Sequence, residues 1–279
     1  MPTCISRGKL VPPLAFNSLE EIFAGYAAVA PLAYAVYRTA EANHLRAAPV
    51  IRPVLDLGCG SGEFGQLALR GTVDVGIDVS WRRLSRCRQH PGYRHLCRGN
   101  ACHMPFADEE FQTVLAVSVL EHLSQPQEVL AEVSRILQPG GHLVGTATLL
   151  DMHDQLFYPW LLGRLGLSSL ARRYVRLHDR LFAHRCLLSQ QQWEEMFAAS
   201  GLELLVSRKI VTPRLTRTFD LLLALAWPYR LLPRWGYSLL CRPPGVRALV
   251  QKMLLPLCSA EESDGSSLFF VARKPEESP

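Results

Sequence analysis

Short apolar runs alternate with helical patterns in this chain, and the alternation constrains the fold more than any other feature. The first five runs are PVLDLG, VDVGIDVS, YRHLCRG, FQTVLAVSV and HLVGTAT. Strands that alternate with helices form a parallel sheet with helices packed against it. With two later runs, ELLVSRKIV and SSLFFVARK, we predict an α/β fold with a mostly parallel seven-stranded sheet and helices on both faces.

A glycine-rich loop follows the first run. From Gly60 the chain reads GSGEFG, which matches the G-x-G-x-x-G dinucleotide fingerprint. In an open parallel sheet, ligands bind beyond the carboxyl ends of the strands, and glycines let the backbone approach them closely. The loop therefore predicts a ligand site, but a match of this kind does not by itself identify the ligand.

Two carboxylates narrow the choice of ligand. Asp56 lies two residues before the first glycine of the loop. A carboxylate there would repel a pyrophosphate, whereas it suits the ammonium and sulfonium groups of S-adenosylmethionine. Asp78 ends the second run, where a carboxylate accepts hydrogen bonds from ribose hydroxyls. We therefore expect S-adenosylmethionine rather than a nicotinamide dinucleotide.

The motifs around this loop resemble those of a known family. They are VLDLGCGSG (54–62), GIDVS (76–80), GNACHMPFADEEFQTVLAVSVLEHL (99–123), ILQPGGHL (136–143) and LSQQQWEEMFAASGLEL (188–204). In this order they resemble the class I S-adenosylmethionine-dependent methyltransferases, especially the small-molecule group related to ubiquinone and menaquinone methyltransferases. The resemblance implies a Rossmann-like fold and a methyltransferase enzyme.

The resemblance also implies roles for single residues. Asp78 and Val79 would bind the ribose and adenine, and Ala101 would offer its backbone N–H to the adenine ring. Asn100 stands where the family usually has an aspartate, and its side-chain oxygen can still accept a hydrogen bond from the adenine amino group. The methionine part would lie against the following residues: Asp56, Gly58, Cys59, Gly60, Gly62 and Ser118.

Whether the reaction needs a general base depends on the methyl acceptor. Methyl transfer from a sulfonium relies largely on alignment, and a base is needed only if the acceptor loses a proton. His122, which follows the fourth run, is the candidate base, although packing is the more common role of such a histidine. The same place reads SVLEHL and lacks the Asn/Asp-Pro-Pro-aromatic motif of enzymes that methylate base amines, which argues against DNA.

Two insertions suggest the nature of the acceptor. The segment 206–260 holds nine Lys and Arg residues and a single acid, Asp220. Its part 218–257 mixes leucines with aromatic and basic residues, as interfacial membrane segments do. A lid that packs onto the core, or an RNA or protein partner, are the alternatives. Residues 150–188 have a similar mixture, so we expect a small, lipophilic acceptor that is methylated on oxygen or carbon.

The whole chain is predicted to be one domain. Its parts are an N-terminal helical region (1–49), a cofactor-binding core (50–149), a helical insertion (150–188) and a basic apolar insertion (213–262). Eight cysteines without a C-x-x-C pattern predict free thiols, and the group Cys97, Cys102 and His103 fits no common zinc spacing, so we expect no metal.

The apolar stretch 22–37 is predicted to be a helix beside the core, not a targeting signal. We accordingly expect a cytoplasmic protein, with peripheral contact to the inner face of a membrane as an extension of that hypothesis. The sequence does not indicate an oligomeric state. Two other functions stay open: an RNA or protein methyltransferase that uses the basic insertion, and a non-catalytic binding protein with the same fold.

Overall fold

The computed structural model describes residues 14–226, 244–260 and 263–276. Within them a seven-stranded sheet has the strand order β3-β2-β1-β4-β5-β7-β6. Strands β1 to β5 run parallel, and β7 is antiparallel to both of its neighbours. The strands are β1 (Val54–Leu57), β2 (Val73–Asp78), β3 (Tyr93–Arg98), β4 (Phe111–Val117), β5 (Leu137–Thr148), β6 (Glu203–Ile210) and β7 (Ser267–Arg273). The predicted fold class is confirmed.

Helices pack on both faces of this sheet. Those that the structure describes are α1 (Leu19–Val29), α2 (Leu32–Leu45), α3 (Glu63–Leu67), α4 (Trp81–Cys87), α5 (Pro126–Ile136), α6 (Met152–Gln155), α7 (Phe157–Arg164), α8 (Ser168–Phe182), α9 (Gln190–Ala199), α10 (Pro213–Ala226) and α11 (Pro244–Cys258). A 3₁₀ turn, Leu120–His122, follows β4.

Two hydrophobic cores form because successive side chains of a strand point to opposite faces of the sheet. In β7, Phe269 and Val271 belong to one core and Phe270 to the other. Helices α1, α2, α10 and α11 contribute to the first core, and α5 and α9 contribute to the second. Burial on both faces explains why central strands such as β1 and β4 read as largely apolar runs.

The sheet places its ligand-binding edge by its topology. Strand β1 pairs with β2 on one side and with β4 on the other, so the direction of the strand order reverses at β1. Open parallel sheets bind ligands at such a switch point, beyond the carboxyl ends of the strands. The loops after β1, β2 and β4 therefore meet at one edge.

The N-terminal region forms two helices rather than the single helix expected over 22–37. Ser18 begins α1 with a capping box that includes Glu21, and Pro31 separates α1 from α2. The helical pattern GEFGQLALRG (62–71) predicts a helix that ends at Gly71, but α3 is shorter and ends at Leu67. The next residues, Leu69–Arg70, instead pair antiparallel with Ala15–Phe16. That pairing joins distant parts of the chain, so a local pattern does not predict it.

Both insertions contain helices. Residues 150–188 hold α6, α7 and α8, while α10 and α11 lie between β6 and β7. No helix in the described ranges combines the length and the apolar character needed to cross a bilayer. Several residues that suggested membrane contact lie outside the described residues, namely Trp227, Tyr229, Arg230, Arg234, Trp235, Tyr237 and Arg242.

Candidate functional site

A cavity of about 920 Å³ opens at the carboxyl edge of β1, β2 and β4. It is lined by the glycine loop, by residues that follow β2, β3 and β4, by α1 and α2, and by the segment 182–185. Most of the predicted site residues line this cavity, namely Gly58, Cys59, Gly60, Asp78, Val79, Asn100, Ala101, Ser118 and His122. The fold thus brings together residues that are far apart in sequence.

The glycine loop presents its backbone to the cavity. Gly60 has a φ of +59°, which L side chains rarely adopt, and a Cβ built there would have no protein atom nearer than 3.9 Å. Gly62 does not line the cavity. A Cβ on it would lie 2.7 Å from Sγ of Cys87, so this glycine lets α3 pack against α4. The open space beside Gly60 is therefore the part of the loop that a ligand can approach.

Asp78 holds the loop from below. Its carboxylate accepts the N–H of Gly60 at 3.1 Å and the N–H of Ser80 at 2.7 Å. Each carboxylate oxygen has a second lone pair, which can accept a hydroxyl group of a ligand in the cavity. Val79, beside it, is 66% exposed and offers an apolar surface on the same wall.

Asn100 and Ser118 take part in local hydrogen bonds. The side-chain oxygen of Asn100 accepts the N–H of Cys102 at 3.1 Å, so it already stabilises its own turn. Ser118 has a φ of +50°, and its hydroxyl donates to Glu41 at 2.6 Å. Ala101 lines the cavity between these two residues in sequence. The contacts fix the loops after β3 and β4.

Asp56 departs from the expectation that it would face the ligand directly. It is buried, and it is not among the residues that line the cavity. Its Oδ2 accepts the hydroxyl hydrogen of Tyr93 at 2.5 Å. Burial raises the pKa of Asp56 to about 7; the hydrogen bond from Tyr93 lowers that pKa, and the charge of Asp78 raises it. Asp56 therefore lies under the loop, where it affects the electrostatics of the site at short range.

His122 lines the cavity from the 3₁₀ turn that follows β4. Its Nδ1 is 3.2 Å from the carbonyl oxygen of Ala183, and its ring stacks on that of His184 at 5.7 Å. A carbonyl oxygen only accepts hydrogen bonds, so Nδ1 carries the hydrogen of the neutral ring. Nε2 is then left with a free lone pair, as a general base requires.

The sequence did not predict the wall formed by α1 and α2. Tyr26, Val29, Tyr34 and Arg38 line the cavity from these helices. Arg38 pairs with the buried Glu41 at 2.8 Å. An ion pair inside an otherwise apolar helix was the available signal, since buried charges are usually paired for a structural or functional reason.

Buried hydrogen bonds connect this wall to the sheet. Glu41 also accepts the hydroxyl groups of Ser118 and Thr146, both at 2.6 Å. The carboxylate therefore ties α2 to the ends of β4 and β5. Phe182, the last residue of α8, and Arg185, just after that helix, also line the cavity.

Comparisons with known proteins agree with this geometry. A family model described as a methyltransferase domain matches residues 55–145. The demethylmenaquinone methyltransferase of Lactiplantibacillus plantarum is 31% identical over 173 residues, which are 54% of this chain and 70% of that protein. The botryococcene C-methyltransferase of Botryococcus braunii is 35% identical over 109 residues, which are 36% of this chain and 28% of that protein. This chain thus spans less than a third of the latter enzyme.

A solved structure supports the fold over a larger part of the chain. An S-adenosylmethionine-dependent methyltransferase of Thermotoga maritima superposes with a TM-score of 0.54 at 16% identity, covering 86% of this chain and 92% of that one. At this identity the superposition shows the fold alone. Together with the matched domain and the relative from Lactiplantibacillus plantarum, it agrees with the motifs quoted above. The chain belongs to the class I S-adenosylmethionine-dependent methyltransferase family.

Proposed function

We propose that this protein transfers a methyl group from S-adenosylmethionine to a small, lipophilic acceptor, on oxygen or carbon. The observation that carries the proposal is one cavity whose lining combines two kinds of groups. Gly60, Asp78 and Asn100 contribute polar and backbone groups, whereas Val29, Tyr34 and Phe182 contribute apolar and aromatic side chains. A donor and an acceptor that meet in the cavity would each find matching groups.

The polar groups of the lining suit a cationic adenosine ligand. Asp78 is positioned to accept ribose hydroxyls, Val79 offers an apolar surface to the adenine, and the backbone at Gly60 is open to the methionine part. The carboxylate of Asp78 lies at the loop and favours a cation over a pyrophosphate. Asp56, under the loop, adds to this effect when it is ionised, above its pKa of about 7. When bound, S-adenosylmethionine supplies an electrophilic methyl group.

The apolar and aromatic side chains of the lining suit a lipophilic acceptor. Ligand sites commonly measure about 300 to 1,000 Å³, so a cavity of about 920 Å³ has room for more than a small cofactor fragment. The relatives named above act, by their names, on demethylmenaquinone and botryococcene, both of which are lipophilic.

His122 is the proposed base for an acceptor that loses a proton. It lines the cavity, and the hydrogen bond between its Nδ1 and Ala183 leaves Nε2 as a proton acceptor. The base would remove a proton from an acceptor hydroxyl as the oxygen attacks the methyl group. His122→Gln should therefore lower kcat for a hydroxyl acceptor and leave S-adenosylmethionine affinity unchanged. An unchanged kcat would contradict this role.

The composition of helix α8 supports the proposal that the protein acts at a membrane surface. Leu170, Leu177 and Leu181 are between 36% and 48% exposed on this helix. Four arginines lie in the same helix, at positions 172, 173, 176 and 180. Exposed leucines with neighbouring arginines are typical of helices that lie at anionic bilayers. We propose that α8 holds the cavity at the membrane surface, because lipophilic acceptors are dissolved in the membrane.

Calorimetric titration tests the cofactor first. Purified protein is titrated with S-adenosylmethionine and separately with a nicotinamide dinucleotide, and we expect binding of the former alone. Protein with a labelled methyl donor is then incubated with isoprenoid quinols, with fatty-acid derivatives in liposomes, and with RNA. Methyl transfer to the quinol or fatty-acid arm is the expected result. Transfer to RNA alone, or binding of the dinucleotide alone, would overturn the proposal.

A further inference from the structure

A histidine–aspartate cluster lies behind the cavity wall and is formed by His153, His178, Asp179 and His184. The carboxylate of Asp179 is 3.0 Å from Nε2 of His153 and 3.1 Å from Nδ1 of His184. Nδ1 of His178 is 4.0 Å from the same carboxylate. One ligand atom each from His178, Asp179 and His184 lie within 4.8 Å of one another.

The backbone after α8 creates this arrangement. Ala183 ends the helix with a φ of +55°, in the left-handed region. The chain therefore folds back, and the N–H of His184 donates to the carbonyl oxygen of Asp179 at 2.9 Å. This turn places the ring of His184 beside the carboxylate. His153 reaches the same carboxylate from α6, so the cluster joins two elements of the insertion.

His178 is the observation that points to a ligand. Its side chain is 2% exposed, and both of its ring nitrogens are buried without a hydrogen-bond partner in the part of the chain that the structure describes. A buried polar atom that has lost water without gaining a partner is destabilising. A cation bound between His178 and Asp179 would supply the missing partner for one nitrogen.

We propose that the histidine–aspartate cluster binds a divalent transition metal, with zinc as the best match. His178, Asp179 and His184 are the protein ligands, and water takes the fourth position. In tetrahedral zinc sites the bonds to nitrogen and oxygen are about 2.0–2.2 Å, which puts neighbouring ligand atoms roughly 3.4 Å apart. The distances from Asp179 to His184 and to His178, 3.1 and 4.0 Å, lie on either side of this value, and all three ligand atoms are within 4.8 Å of one another, so side-chain movements would close the site.

His153 has a different role in the proposed site. Its hydrogen bond to Asp179 is the kind of contact that orients a ligating carboxylate. Such an outer contact commonly changes metal affinity by about 10–100-fold. His153→Ala should therefore weaken zinc binding within this range without abolishing it.

The metal would stiffen the cavity wall without touching the acceptor. Phe182, Ala183 and Arg185 line the cavity, whereas the side chains of His178 and His184 are buried and are not among the lining residues. His122, which stacks on His184, would be held in place through that contact. Zinc in this place is structural, since its ligands are not among the residues that line the cavity.

Metal analysis of the full chain tests the proposal. Protein treated with a chelator and then dialysed against zinc should retain one zinc ion per chain, and its melting temperature should rise with zinc and fall with chelator. His178→Ala and Asp179→Asn should each lower zinc affinity at least about tenfold. His95→Gln, which changes an exposed histidine on β3, is the matched control and should bind zinc like the wild type.

X-ray absorption of the zinc form distinguishes this site from the cysteines, and it does not depend on whether a variant folds. We expect nitrogen and oxygen ligands at about 2.0–2.2 Å and no sulfur at about 2.3 Å. Sulfur ligation, the absence of bound zinc, or equal binding by His178→Ala and the wild type would overturn the proposal. Preferential binding of iron(II), which also accepts two histidines and a carboxylate, would overturn the choice of zinc.

Discussion

Because the carboxyl of Asp56 is buried, the stability of the protein depends on pH. Replacing Asp56 alone separates this contribution from those of the other titrating groups. Burial raises its pKa from 3.8 to about 7, against the lowering effect of the hydrogen bond from Tyr93. Between these two pH values the folded protein binds a proton that the unfolded chain has released. The free energy of unfolding that Asp56 contributes is therefore full below about pH 4 and is lost as the pH rises to about 7.

The magnitude follows from the two pKa values. A tenfold difference in acidity corresponds to about 1.4 kcal/mol, so a rise from 3.8 to about 7 corresponds to about 4 kcal/mol. Asp56→Asn cannot ionise, and its amide oxygen can still accept the hydroxyl hydrogen of Tyr93. Relative to the wild type, the variant should therefore gain about 4 kcal/mol between about pH 4 and about pH 8.

Urea denaturation of both proteins across this pH range measures the difference, in the absence of S-adenosylmethionine and with reductant present. Other titrating groups are shared by the two proteins and cancel in the difference. Asp154→Asn, which changes an exposed carboxylate on α6, is the matched control. If the free energies of unfolding of Asp56→Asn and the wild type run parallel with pH, the reasoning about the buried carboxyl is wrong.

Three further changes test other parts of the structure. Gly60→Val should abolish measurable S-adenosylmethionine binding in calorimetry, because it fills the open space at the loop and strains a left-handed backbone by about 1–2 kcal/mol; Gly163→Ala, with no atom within 4 Å, is its control, and retained affinity in Gly60→Val would contradict the site. Glu41→Gln should lower the free energy of unfolding in urea by about 1.5–3 kcal/mol, since it removes the charge that pairs with Arg38, whose side chain is 30% exposed, and an unchanged value would argue against that pair. Joint replacement of Leu170 and Leu177 by Glu should weaken co-sedimentation with anionic liposomes while the melting temperature stays the same, and unchanged sedimentation would remove α8 from the proposed surface.

Local patterns predicted the fold well because they record burial directly. The central strands β1, β2 and β4 are largely apolar runs in the sequence, since strands buried on both faces need mainly apolar residues. The edge strands β3 and β6 are more exposed and carry more polar residues. The boundaries of helices were less predictable. The helix expected to reach Gly71 ends at Leu67, because the following residues pair with a strand more than fifty residues earlier.

The candidate site was likewise predictable in part from the sequence. Its loop residues are contiguous motifs at strand ends, and Asp78, Asn100 and Ser118 line one cavity because parallel strands bring their carboxyl ends to one edge. The position of Asp56 was not predicted, because the sequence places a side chain on a strand without showing which neighbour covers it. Tyr93, on β3, provides that cover.

The sequence by itself determined the sheet, the glycine loop and the family, because each depends on residues that are neighbours along the chain. Only the tertiary structure decided what faces the loop. Helices α1 and α2 close the cavity, and Glu41 ties them to β4 and β5 through contacts that span 77 and 105 residues. The histidine–aspartate cluster likewise has no metal-binding spacing in sequence. It forms because the left-handed turn at Ala183 and the packing of α6 bring its side chains within a few ångströms of one carboxylate.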